Sequence, residues 1–152
     1  MPKTYHADRL RYGRHSQTQQ IYLITAVTRS RTPLFQDWQT GRLLVHQFRR
    51  AQLDGWADSL AWVVMPDHFH WLLSLGACDL SNLILATKSR AAREINAHLG
   101  RSGAVWQRGF HDRAIRCDED LPSVARYIVA NPIRAGLVKR VQDYPLWDAV
   151  WL

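Results

Sequence analysis

The sequence predicts an α+β fold in which strands and helices follow one another in the order β-α-β-β-α-β, with a further helix near the C-terminus. Two observations predict it. Short runs of β-branched and aromatic residues are bounded by turn residues, and two longer segments carry apolar residues at helical spacing. This order is that of the ferredoxin-like sandwich, an antiparallel sheet with helices on one face. The opposite face is then expected to be free for a functional site or for nucleic acid.

The first half of the chain supplies most of the strands. Residues 21–28 read Ile-Tyr-Leu-Ile-Thr-Ala-Val-Thr, a composition typical of a strand. Asp37 is a predicted helix cap, and the helix that follows it is expected to run to about Leu53. Residues 56–65 and 68–75 are two strands joined by a tight turn at Pro66-Asp67.

The second half supplies the remaining helices and one strand. A helix is predicted over 81–99 and a strand over 110–117. The acidic residues 118–120 and Pro122 favour the start of a third helix, which ends near Asn131-Pro132. A short helix over 132–138 precedes a Trp-rich tail. We expect a single domain over residues 1–152, with a basic N-terminal arm (1–20) and a C-terminal tail (139–152).

The composition indicates a nucleic-acid partner. The net charge is +7 and the isoelectric point is near 10.0. Most of the positive charge is arginine, whose planar fork binds phosphate groups and guanine edges through paired hydrogen bonds. The alternative is a merely solvated basic surface. Cys78 and Cys117 form no CxxC motif, which excludes a cysteine zinc module. No stretch approaches membrane-spanning length, so we expect a cytoplasmic, nucleoid-associated protein.

Two histidines occupy neighbouring same-face positions on the second strand of the hairpin. Alternation along that strand points His68 and His70 to one face of the sheet and Phe69 and Trp71 to the other. The two imidazoles are about 6.5–7 Å apart along the strand and can converge on one ion. Two histidines are too few for a closed structural zinc site, but they suit an open site with positions for water or a phosphate oxygen. The alternative is a pair of polar residues on an exposed sheet face.

Tyr127 and Asn131 lie four residues apart and would share a face of one helix. A tyrosine can act as a nucleophile when a cation activates it, and an asparagine carbonyl oxygen is a suitable ligand for a hard ion. Each residue also has a structural interpretation. Asn131 precedes Pro132, so it can simply cap a helix, and Tyr127 can be a core residue.

Four motifs in this order resemble those of the REP-associated tyrosine transposases. They are Arg9-Leu-Arg-Tyr-Gly-Arg-His-Ser16, Met65-Pro-Asp-His-Phe-His-Trp-Leu72, Trp106-Gln-Arg-Gly-Phe-His-Asp-Arg113 and Tyr127-Ile-Val-Ala-Asn-Pro-Ile-Arg-Ala-Gly-Leu-Val138. The triplet His68-Phe69-His70 is similar to the histidine-hydrophobic-histidine motif of single-strand nucleases and transposases. The match extends from about Tyr5 to Val141.

The resemblance implies a metal-dependent transposase that cuts and rejoins single-stranded DNA beside hairpin (REP-type) repeats through a 5′-phosphotyrosine intermediate. Tyr127 would be the nucleophile, and His68 and His70 would bind a divalent metal, Mg²⁺ or Mn²⁺. Asn131 would be the third ligand, although insertion-sequence relatives usually carry a glutamine there. Candidate DNA-binding residues, by charge and by resemblance, are Arg9, Arg11, Arg14, Lys88, Arg90, Arg93 and His111. We expect single-stranded hairpin DNA as partner, and a monomer rather than a homodimer.

Three other functions stay open at this point, one of which is a domesticated chromosomal protein that cuts and joins repeats without mobilising itself. The same βαββαβ sheet can present aromatic residues to single-stranded nucleic acid without catalysis. A nickase of the replication-initiator type would use the same chemistry. A covalent protein–DNA adduct separates catalysis from simple binding.

Overall fold

The fold is built around a five-stranded antiparallel sheet. A computed structural model describes residues 19–152, and within this range the strand order is β4-β1-β3-β2-β5. The strands are β1 (Ile21–Val27), β2 (Ala57–Met65), β3 (His68–Leu75), β4 (His111–Ala114) and β5 (Trp147–Ala149), and the α-helices are α1 (Trp38–Leu53), α2 (Leu80–Leu99), α3 (Leu121–Val129) and α4 (Asn131–Arg134). The predicted α+β fold and the βαββαβ order are confirmed.

Local sequence sets the limits of the helices. The Asp37 carboxylate accepts a hydrogen bond from the backbone N–H of Gln39 at 3.1 Å, so the predicted cap of α1 is confirmed. Gly100 ends α2 in the left-handed conformation, with a φ of 62°. Asp120 caps α3, and Pro122 lies in its first turn, where no N–H is needed.

Helices cover both faces of the sheet. α1 and α2 pack on the first face, where Phe48 lies 4.4 Å from Trp71 between ring centroids. α3 packs on the second face, where its Ala125 and Ile128 join a second buried cluster with Leu72 of β3. The expectation that the second face is free is therefore wrong where α3 crosses it. α3 is short and strongly amphipathic, so it is stable only with its apolar side against another surface.

The β2–β3 hairpin has the predicted form. Met65 pairs with His68 across the turn, which places Pro66 and Asp67 at its tip. Phe69 and Trp71 are fully buried on the first face. The Trp71 indole N–H donates to the Ser59 hydroxyl at 2.8 Å, which satisfies the polar group of a side chain that is otherwise surrounded by apolar residues.

The C-terminal segment adds an edge strand. The sequence predicted only a tail over 139–152, but Trp147–Ala149 pairs with β2 as β5. Before this strand, the backbone N–H of Val64 donates to the Leu146 carbonyl at 2.9 Å, and the Tyr144 hydroxyl donates to the Val64 carbonyl. These contacts satisfy backbone groups of β2 that would otherwise form an open sheet edge.

Two further observations concern the sequence expectations. Within residues 19–152, no helix is long and apolar enough to cross a membrane. Cys78 and Cys117 are both free thiols.

Candidate active site

His68 and His70 form a pair on the second face of the sheet. Their ring centroids are 5.0 Å apart and the rings are nearly perpendicular, at 81°. They share this face because side chains alternate along β3, whose intervening Phe69 points into the first-face core. The two imidazoles therefore lie beside each other on one face of the sheet, as alternation along the strand predicts.

Each imidazole is oriented by an oxygen atom bound to its Nδ1. His68 Nδ1 lies 2.7 Å from Asp67 Oδ1, and His70 Nδ1 lies 2.8 Å from the Thr25 hydroxyl. An ionised carboxylate only accepts hydrogen bonds, so in the neutral tautomer that fits this contact Nδ1 of His68 carries the proton and Nε2 carries the lone pair. The Thr25 hydroxyl can accept in the same way. This is the arrangement that orients histidines in metal sites, where the other ring N–H is held by an oxygen.

Electrostatics favour the neutral form of His70. Burial, together with the nearby charges of His68 and Arg134, lowers the pKa of His70 to about 4. A neutral imidazole is the form that binds metal ions. Burial by itself would raise the pKa of Asp67, but hydrogen bonds from His68 and Arg31 outweigh it and leave that pKa below its ordinary value. Arg31 also holds the carboxylate at 3.1 Å.

Tyr127 lies on the outer side of α3, the helix that crosses the second face. Ala125 and Ile128 of this helix are buried against the sheet, while the Tyr127 side chain is 66% exposed. The guanidinium carbon of Arg134 lies 3.8 Å from the centre of the Tyr127 ring. Since Arg134 also contributes to the low pKa of His70, it lies within electrostatic range of both the phenol and the imidazole.

Asn131 has a structural role at the junction of α3 and α4. Its side-chain amide donates to the Ile128 carbonyl at 2.9 Å. In a continuous helix that carbonyl would accept from the backbone of residue 132, but Pro132 has no N–H. Asn131 therefore replaces the missing donor, and its Oδ1 accepts no hydrogen bond from residues 19–152. It does not cap α4, so the simple cap interpretation is wrong.

His111 lies in the same row of the sheet as His70. Thr25 pairs with His70 on one side and with His111 on the other. Directly opposed residues point to the same face, so His111 faces the same side as the histidine pair, two strands away and about 10 Å distant. It is exposed, and it can reach a ligand that extends across the sheet.

The predicted DNA contacts of α2 are not close to the histidines. α2 packs on the first face, opposite the histidine pair. Lys88 donates to the carbonyls of Gln107 and Gly109, and Arg90 lies 5.3 Å from the Trp56 ring centroid. Arg93 is exposed. The candidates Arg9, Arg11 and Arg14 lie outside the described residues.

Three residues of this site were not among the sequence candidates. Asp67 is adjacent to His68 in the sequence, so its contact could have been suspected. Thr25 reaches His70 through strand pairing between distant segments, and no local pattern indicates it. Arg134 is part of the fourth resembling motif, but its contact with Tyr127 joins α4 to α3 across the junction at Ala130, which the sequence pattern did not indicate.

Comparisons with known proteins agree with the sequence motifs. A family model described as "Transposase IS200 like" matches residues 16–131. A REP-associated tyrosine transposase of Escherichia coli (strain K12) is 32% identical over 106 residues, which are 68% of this chain and 61% of that protein. A Haemophilus influenzae relative is 31% identical over 99 residues, 58% of this chain and 56% of that protein. The chain thus spans about three fifths of the length of the curated relatives that it matches.

A solved structure supports the same assignment. A REP-associated tyrosine transposase bound to a REP hairpin superposes with a TM-score of 0.72 at 27% identity, and the match covers 88% of this chain and 79% of that one. The resemblance that the motifs indicated is confirmed. Because the family model covers most of the sequence, the chain belongs to the IS200-like transposase family.

Proposed function

We propose that this chain is a transposase that cuts and rejoins single-stranded DNA beside hairpin repeats, with Tyr127 as the nucleophile. The observation that carries the proposal is the histidine pair, on the sheet face that the Tyr127 helix crosses, with each Nδ1 bound by an oxygen and neither Nε2 hydrogen-bonded to a residue in 19–152. The hairpin substrate is proposed because a relative has been solved bound to a REP hairpin. The high positive charge suits a polyanionic partner.

The side chains fit a divalent metal of the predicted kind, Mg²⁺ or Mn²⁺. His68 and His70 would bind it through Nε2, and Asn131 Oδ1 would be the third ligand that the family resemblance implies. No three His, Cys, Asp or Glu side chains gather into a metal site within residues 19–152. The site would thus be an open one, with positions for water and phosphate oxygens. A metal bound there supplies Lewis-acid polarisation of the scissile phosphate.

The chain's own residues would perform one exchange of phosphodiesters. The Tyr127 oxygen attacks phosphorus, the bond from phosphorus to the 3′ oxygen breaks, and a 5′-phosphotyrosine and a free 3′-OH result. The proton that the phenol loses is balanced by the proton that the 3′ oxygen gains. Because the bond energy is kept in the phosphotyrosine, a 3′-OH of another strand can reverse the step and join the DNA.

DNA contacts outside the histidine pair are proposed from charge and position. His111 lies on the same face and can contact a phosphate of the bound strand. Arg9, Arg11 and Arg14 are assigned to the DNA by their resemblance to the family's basic arm. Lys88 and Arg90 are engaged within the protein, so we expect α2 to contribute little.

Adduct formation tests the proposal. The protein is incubated with hairpin oligonucleotides that carry single-stranded flanks and with Mn²⁺, and a denaturation-resistant protein–DNA band is measured. We expect the band with wild type and with Tyr144→Phe, a control that removes a different phenol, and no band with Tyr127→Phe. DNA binding without any adduct would instead indicate a non-catalytic binding module.

Metal binding is tested separately from cleavage. Titration of Mn²⁺ into the DNA-free protein should show one site that His70→Ala removes. Chelation should stop adduct formation while most of the DNA binding remains. Cleavage that persists without metal would contradict the role of the histidines.

A further inference from the structure

Arg134 is the residue whose side chain lies against the ring of the proposed nucleophile. Its guanidinium stacks on the Tyr127 ring at 3.8 Å. Other arginines, such as Arg31, Arg113 and Arg140, form ion pairs with carboxylates at 2.9–3.2 Å. The Arg134 side chain forms no hydrogen bond or ion pair with any residue in 19–152. Its flat face is held by the phenol while the N–H donors around its edge are free.

The position of Arg134 relates it to the histidine pair. It is the last residue of α4, which packs against β2 and has Pro132 buried at its start. In the pairing of β2 with β3, Val63 of β2 lies directly opposite His70. One guanidinium thus lies against the proposed nucleophile, on a helix that packs on the strand beside the proposed metal ligands.

We propose that Arg134 is a further catalytic residue, which donates two hydrogen bonds to non-bridging oxygens of the phosphate that Tyr127 attacks. The inference rests on the proposed function. A phosphodiester and an attacking phenol together concentrate negative charge on those oxygens in the transition state, and a guanidinium edge matches them in pairs. Arg134 keeps its proton throughout. Stacking on Tyr127 would hold the donor and the nucleophile in a constant relative position, which lowers the cost of orienting them.

Single-turnover adduct formation provides the first test. Arg134→Ala should slow the step by about 10²–10³-fold, the usual loss when one transition-state donor is removed. Arg134→Lys should recover only part of the rate, because lysine keeps the charge but not the paired donors. Arg49→Ala is the matched control, because Arg49 is exposed on α1 and its replacement removes the same charge from the other side of the sheet. It should react nearly as wild type. A wild-type rate for Arg134→Ala would overturn the inference.

A neutral phosphate distinguishes phosphate contact from mere support of Tyr127. When a methylphosphonate replaces the scissile phosphate, the charge that Arg134 neutralises is absent. The ratio of wild-type to Arg134→Ala rates should then fall below about tenfold, while a structural defect would persist at full size. An equal loss on both substrates would overturn the phosphate contact.

Equilibrium binding separates this inference from the proposed function. A set of oligonucleotides carries one methylphosphonate each, at successive phosphate positions beside the hairpin. At one position the replacement should weaken DNA binding by wild type, and at that same position it should leave DNA binding by Arg134→Ala unchanged. A protein that shows this coupling but never forms an adduct contradicts the proposed function and supports the phosphate contact. A protein that forms the adduct but shows no coupling contradicts the contact alone.

Discussion

The contact between Thr25 and His70 permits a quantitative prediction. Thr25→Val removes the hydroxyl that lies 2.8 Å from His70 Nδ1 and keeps a β-branched side chain that suits the strand. Loss of such an oxygen partner typically weakens metal binding by about 10–100-fold. That range corresponds to about 1.4–2.7 kcal/mol of binding free energy. It agrees with the cost of leaving a half-buried N–H without an acceptor, about 1–3 kcal/mol.

The assay is calorimetric titration of Mn²⁺ into the DNA-free protein. We expect the dissociation constant of Thr25→Val to rise by the stated factor, and that of Thr25→Ser to stay close to wild type, because serine keeps the hydroxyl. Thermal unfolding of each variant checks that the fold is intact. If Thr25→Val binds Mn²⁺ as tightly as wild type, or if Thr25→Ser is weakened equally, the hydroxyl does not orient His70 for a metal.

Three further predictions concern stability. Ser59→Ala leaves the indole N–H of the fully buried Trp71 without an acceptor. It should lower the free energy of unfolding, measured by urea denaturation, by about 1–3 kcal/mol, and an unchanged denaturation midpoint would refute the contact. Asn131→Ala removes the donor that replaces the missing N–H of Pro132 and should cost about 1 kcal/mol in the same assay; no loss would show that the carbonyl is satisfied otherwise. Burial raises the pKa of Tyr144 to about 12, above an ordinary value near 10. The folded state therefore favours the protonated phenol. The resulting contribution to the free energy of unfolding is complete below pH 10 and is lost as the pH rises towards 12. Tyr144→Phe should flatten that alkaline decline in unfolding free energy, and an identical decline in both proteins would contradict the assignment.

Local patterns were sufficient to predict the histidine pair. The turn residues Pro66 and Asp67 mark the reversal of the chain, and alternation then determines which side chains share a face. Neither inference needs knowledge of distant residues. His68 and His70 consequently lie where the sequence predicted, with Phe69 in the core.

Contacts between distant segments could not be predicted in this way. Thr25 meets His70 only because of the register between β1 and β3, and a shift by one residue would turn Thr25 to the other face. β5 is three residues long, too short to give a periodic signal, and it exists as a strand because β2 offers it a partner. α3 was predicted as a helix, but the face it covers depends on where its apolar side finds a partner surface.

The helix junction shows how a correct residue can have an unforeseen role. The sequence allowed Asn131 to be either a metal ligand or a cap. The structure shows a third use, in which the amide satisfies the Ile128 carbonyl that Pro132 leaves without a donor. The same contact fixes the amide orientation, so the structural role and the proposed ligand role of Oδ1 are compatible.

Identification of the modified residue tests directly whether Tyr127 is the nucleophile. After reaction with a hairpin oligonucleotide, the protein is digested with nuclease and trypsin and analysed by tandem mass spectrometry. Cleavage after Arg126 and Arg134 releases the peptide Tyr127-Ile-Val-Ala-Asn-Pro-Ile-Arg134, which contains a single tyrosine. We expect a nucleotide linked through its 5′ phosphate to Tyr127. A nucleotide found on another residue, or cleaved DNA with this peptide unmodified, would contradict it.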